Sequence, residues 1–106
     1  MTFYRLADLA RLGVAPEGTS GARPTIQGER IDVSFYQYPA HTKKKPHSHP
    51  EEQIVVVLKG RLGYRVQDRE KVLGPGEAVH IPAGVEHENW SLDQEVDFIS
   101  CQNIIK

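Results

Sequence analysis

Cysteine is almost missing from this sequence: its 106 residues include one, Cys101. A single thiol cannot close an intramolecular disulfide, so packing must hold the fold, and nothing ties it to an oxidising compartment. A reducing cytoplasm is the expected location. Long apolar runs are missing too. No segment approaches the roughly 20 residues that span a bilayer, and the opening MTFYRLADLARLG lacks the apolar centre and small-residue cleavage site of an export leader. A membrane is therefore not an expected partner. Neither sign of charge dominates, since the formal net charge is -1. That balance offers no electrostatic footprint for a phosphate backbone, so nucleic acid is not an expected partner either. What remains is 39% hydrophobic and 25% charged residues, an ordinary globular composition on a chain long enough for one core. A single domain over residues 1–106 is expected.

Phe3, Leu6, Leu9, Ala10 and Leu12 can share a helical face, and Gly13 is placed to end it, so residues 3–12 read as one short helix or turn. Residues 13–30 carry scattered glycine and proline and read as irregular chain, with one short strand near 23–27. From Ile31 onward the text changes to β-branched and aromatic runs: IDVSFYQY, QIVVVLKGRLGYRV, KVL, AVHI and VDFIS. Gly, Pro and Asp separate them, which is the signature of short antiparallel strands. Gln53, Val55 and Val57 share odd parity, whereas Leu62, Tyr64 and Val66 are even. A bulge or bend at Gly60 accounts for that switch. Residues 54–58 are apolar on both faces, so protein should cover each. One cover is expected to be a second copy of the chain, making a homodimer.

In PHSHPEEQ, His47 and His49 are two residues apart on extended chain and project from one face, a parity that Gln53 shares. Prolines 46 and 50 have no N–H to offer a ladder and hold the pair between fixed turns. His87 arrives from GEAVHIPAGVEH, after the turn at Pro82 and Gly84. Three imidazoles and one side-chain oxygen suit one divalent ion of zinc, nickel, copper, manganese or iron. An isolated HxH beside Lys43, Lys44 and Lys45 reads more readily as a solvated loop, so the wider pattern has to decide.

That pattern resembles the cupin family. Its first motif runs HxH, three residues, an acid or amide, six residues, Gly, and is met by His47, His49, Gln53 and Gly60. Its second runs Gly, five residues, PxG, two residues, His, and is met by Gly76, Pro82, Gly84 and His87. The resemblance covers roughly residues 31–100. It implies an all-β antiparallel jelly-roll barrel and a metal held by His47, His49, Gln53 and His87. Two positions depart from the pattern: the usual acid is Gln53, and the Asn that closes the second motif is Ser91. A neutral fourth ligand leaves the metal more positive and a better Lewis acid.

The resemblance extends to small cupins that open unsaturated uronate rings and to single-domain polyketide cyclases. It implies a non-redox isomerase, cyclase or lyase that polarises a carbonyl or enolate oxygen of a small oxygenated substrate. In the uronate group an Asp on the closing strand is catalytic, and Asp97 of DFIS is its counterpart, although the Arg that follows there is missing from QNIIK. Two other classes stay open: a three-histidine iron dioxygenase, and a small-ligand-binding or storage module without turnover. Tyr38 and Trp90 are the aromatics expected to line the cavity above the metal. The lysine run, if set at the barrel mouth, would favour an anionic small molecule.

Overall fold

A computed structural model describes residues 1–5, 8 and 24–105. The helix expected over residues 3–12 lies mostly outside them. The described residues form eight strands: β1 (Thr25–Gln27), β2 (Ile31–Tyr38), β3 (Gln53–Lys59), β4 (Leu62–Val66), β5 (Arg69–Leu73), β6 (Ala78–Ile81), β7 (His87–Ser91) and β8 (Val96–Asn103). A five-stranded sheet runs β1-β2-β8-β3-β6 and a three-stranded sheet runs β5-β4-β7. Every pairing is antiparallel. The two sheets close on each other as a jelly-roll barrel, and the short strand expected near residues 23–27 is β1.

Alternation along each strand builds the interior. Val96, Phe98 and Ser100 of β8 face it, as do Gln53, Val55 and Val57 of β3, Leu62 and Tyr64 of β4, and His87, Asn89 and Ser91 of β7. Phe98 lies at the centre, 1% exposed, stacked on Tyr36 and edge-on to Tyr38 with both centroid distances 4.9 Å. Residues 42–47 lengthen the three-stranded sheet: they run along β7, with bridges pairing Lys43 to Trp90 and His47 to His87.

The parity switch at Gly60 has a definite cause. The β3–β8 register shifts between Val57 and Lys59, and Gly60 then adopts a positive φ of 81° as the chain leaves one sheet for the other. Any Cβ at Gly60 would strike the Glu95 carbonyl. Residues 54–58 alternate as strand geometry demands. Val55 and Val57 are fully buried and Ile54 is 45% exposed on the outer face. There Val56 and Ile99 are cross-strand neighbours, as are Ile99 and Phe35. Cys101 is half-buried on this face, and burial followed by the nearby Asp32 raises its thiol pKa, which suits a packing residue.

Candidate metal centre

The two histidine motifs lie some forty residues apart in the sequence, and folding brings them together. His47 bonds backbone to backbone with His87, 2.9 Å in each direction. Beyond His47 the chain crosses to the facing sheet and starts β3 at Gln53. His49 sits in the crossing, fixed where its carbonyl accepts the Gly84 N–H at 2.8 Å. One ligating nitrogen from each of His47, His49 and His87 falls within 4.8 Å of the others. Two nitrogens bound to one ion at about 2.1 Å each stand at most roughly 4.2 Å apart, so small side-chain rotations would close the cluster on a single ion.

Hydrogen bonding fixes which nitrogens face inward. Nδ1 of His47 donates to the Lys45 carbonyl at 3.2 Å, that of His49 to the Glu51 carbonyl at 3.0 Å, and that of His87 to the Val85 carbonyl at 2.9 Å. A carbonyl only accepts, so each Nδ1 carries a proton, and in the neutral form of each ring the Nε2 lone pair is the one left to bind a metal. Gln53 is oriented in the same way: its amide nitrogen donates to Ser100 Oγ at 2.7 Å, turning Oε1 to within 3.1 Å of His49 Nε2. Two lone-pair acceptors side by side repel unless a cation lies between them. The donor set therefore fits a divalent metal ion, and this chain can hold one with His47, His49, Gln53 and His87. Burial keeps the His87 imidazole below its usual pKa range, and His47 and His49 lower it further against the bond to Val85, so it stays neutral and able to bind near neutral pH. Exposure falls from His47 through His49 to His87, so the cluster opens to solvent on the His47 side.

Other residues shape the centre and carry no motif that marks them in the sequence. The Glu51 carboxylate lies 3.4 Å from His49 Nδ1. A carboxylate there returns part of the negative charge that Gln53 omits. Tyr64 lies nearly parallel to His87, centroids 6.4 Å apart. Asn89 accepts from the Tyr38 hydroxyl at 3.1 Å and also faces that of Tyr64. Burial pushes both phenols far above their ordinary range, so they are donors and not bases.

Three expected site residues are elsewhere. Asp97 points to the outer face, between its inward neighbours Val96 and Phe98, and accepts from the Gln37 amide at 3.2 Å; it does not join the histidines. Trp90 is three residues from the inward-facing His87, an odd separation that turns it outward. Its indole lies on Gly63 of the paired strand and borders an outer-face cleft of about 300 Å³ with Lys43 and Glu88. Tyr38 does face inward, but it is 3% exposed and part of the packed core instead of a cavity wall. The lysine run is divided by the same alternation: Lys44 reaches over the Tyr38 ring, 5.3 Å from its centroid, while Lys43 borders the outer cleft.

The Trp90 placement is open to a direct check. Because any Cβ at Gly63 would collide with the indole, Gly63→Ala should lever it off the sheet at a cost of about 1–3 kcal/mol. Trp90 is the sole tryptophan, so its emission should shift to the red. An unchanged spectrum and unchanged urea midpoint would show that the indole does not rest there.

Two antiparallel sheets closed over converging imidazoles define the class: a β-barrel whose interior can hold a divalent ion. Residues 34–99 match the profile of the Cupin_2 family, described as a cupin domain, and the chain belongs to that family. Its fold is shared by the polyketide cyclase RemF from Streptomyces resistomycificus, at TM-score 0.81 and 21% identity, over 97% of this chain and 79% of that one. KdgF from Halomonas sp. aligns at TM-score 0.76 and 18% identity, over 82% and 81% of the two chains. TT1209 from Thermus thermophilus aligns at TM-score 0.79 and 26% identity, over 97% of both. No curated protein matches. Among the described residues no helix is long and apolar enough to cross a membrane.

Proposed function

We propose that this cupin is a non-redox metal-dependent isomerase, cyclase or lyase acting on a small oxygenated substrate. The observation that carries the reading is the neutral donor set: three Nε2 lone pairs and the Gln53 amide oxygen, with no carboxylate among the ligands. A divalent ion bound there supplies Lewis-acid polarisation of a carbonyl or enolate oxygen. A neutral set stabilises a trivalent ion poorly in a low-dielectric interior, which disfavours oxygen activation. The fold shared with a polyketide cyclase supports the same substrate class.

Proton movement needs a group on the inner face, and Asp97 is on the other. Strand pairing aligns Gln53 with Gln102, and Gln102 with Asp32, in one cross-strand row. Asp32 shares the inward parity of Ser34 and Tyr36, and it is the one acidic residue on an inward row of the described strands. Strands about 4.8 Å apart put it two strands, or roughly 10 Å, from Gln53, the reach of a small substrate bound between them. We assign the general base to Asp32.

Turnover of an unsaturated uronate or a polyketide-like diketone should persist under nitrogen and survive replacement of iron by zinc or nickel. Asp32→Asn should lower it by about 10²–10⁴ while leaving metal content unchanged. Activity that required both iron and oxygen would replace this reading with the dioxygenase, and full turnover in Asp32→Asn would remove the base assignment.

The outer face of the five-stranded sheet supports a homodimer. Ile54, Val56 and Ile99 form an apolar patch there, with Ile54 45% exposed. Light scattering should give twice the chain mass, and Ile54→Glu should halve it. A monomer at micromolar concentration would end this proposal.

A further inference from the structure

Strand β5 carries cationic side chains on its inward row. Its pairing with β4 sets Leu73 opposite Leu62, Lys71 opposite Tyr64 and Arg69 opposite Val66. Paired residues share a face, so two cations occupy positions where a closed barrel would place apolar side chains. Both remain exposed because the barrel is open at this point: β5 ends the three-stranded sheet, β6 ends the five-stranded one, and a cleft of about 480 Å³ lies between them. Its volume is in the range of small-molecule sites. Tyr64, Val66, Leu73, Val79 and Val85 supply an apolar lining.

The cations differ in what they have to offer. Lys71 is held by Glu77 at 3.2 Å, and His80, on the same rim, by Glu52 at 2.6 Å. Glu70 also borders the cleft, but it belongs to the outward row with Val72, opposite Arg65. Arg69 makes no side-chain hydrogen bond or ion pair among the described residues. A guanidinium over an apolar lining matches a molecule with an apolar body and one anionic head, which its planar fork can grip with two parallel hydrogen bonds. None of the four donor residues lines the cleft: Tyr64 and Val85 stand between it and His87.

We propose that the β5–β6 cleft is a second ligand site, for small amphipathic anions, with Arg69 as the residue that binds the anionic head. It does not depend on the metal or on the reaction assigned above. Benzoate and phenyl phosphate serve as carboxylate and phosphate probes, titrated into metal-free full-length protein and followed by backbone amide shifts. Shifts should centre on residues 64–73 and 79–85, and the anion bound more tightly identifies the head group. Arg69→Ala should weaken that probe by about tenfold or more, Arg69→Lys by less, and Arg61→Ala, on an exposed residue outside the cleft, not at all. Benzamide, uncharged and of the same shape, should bind as weakly to the unmodified protein as benzoate does to Arg69→Ala. Shifts confined to residues 47–53 and 87, equal affinity in Arg69→Ala, or no shifts at millimolar probe would each overturn the proposal.

Discussion

Protein carrying His49→Ala is expected to retain less than about one tenth of an equivalent of divalent metal after dialysis, where the unmodified chain should hold close to one. Losing a group that merely orients a ligand costs roughly 10–100-fold in metal affinity, and His49 is proposed as a donor itself. Its Nε2 is also the partner that Gln53 Oε1 faces at 3.1 Å, so the substitution weakens two of four contacts together. His49 lies outside the hydrophobic core cluster, so the metal-free variant should unfold at nearly the same urea concentration as metal-free unmodified protein. That comparison separates a lost ligand from a lost fold. A full equivalent of metal retained by the folded variant would show that the ion is held elsewhere.

The second large effect is expected at Phe98. Phe98→Ala removes a ring that is 1% exposed and touches Tyr36 face to face and Tyr38 edge-on. Truncations of this kind cost about 3–5 kcal/mol, a large share of the roughly 5–15 kcal/mol that stabilises an ordinary domain. The consequence should reach the metal centre, because Phe98 and Ser100 are successive inward residues of β8 and Ser100 Oγ fixes the Gln53 amide. Urea unfolding measured with and without zinc should show the loss of stability in both conditions. A change under about 1 kcal/mol would mean that the aromatic cluster repacks around the gap.

The strand class and the convergence of three histidines were legible in the sequence. Period-two runs punctuated by Gly and Pro can satisfy their backbone groups only by pairing, and two independent spacings selected His47, His49, Gln53 and His87. Trp90 was legible too, since three residues from an inward His87 on an extended strand is an outward position; expecting it in the cavity ignored that parity. Asp97 was not legible. The run VDFISCQN is apolar on both parities, with Val96 and Phe98 on one and Ile99 and Cys101 on the other, so alternation alone cannot say which face is inner. Pairing with β2 and β3 decides it, and that pairing depends on residues some forty to seventy positions away.

The sequence by itself determined which side chains can bind a metal and that they lie on strands, because ligand chemistry belongs to residue types and strand parity is local. Tertiary structure alone decided that Asp32 shares a row with Gln53 through Gln102, and that Arg69 and Lys71 look into an open cleft between two sheet edges. Those relations come from cross-strand register and from where the barrel fails to close, and both are set by contacts between segments that no local pattern connects.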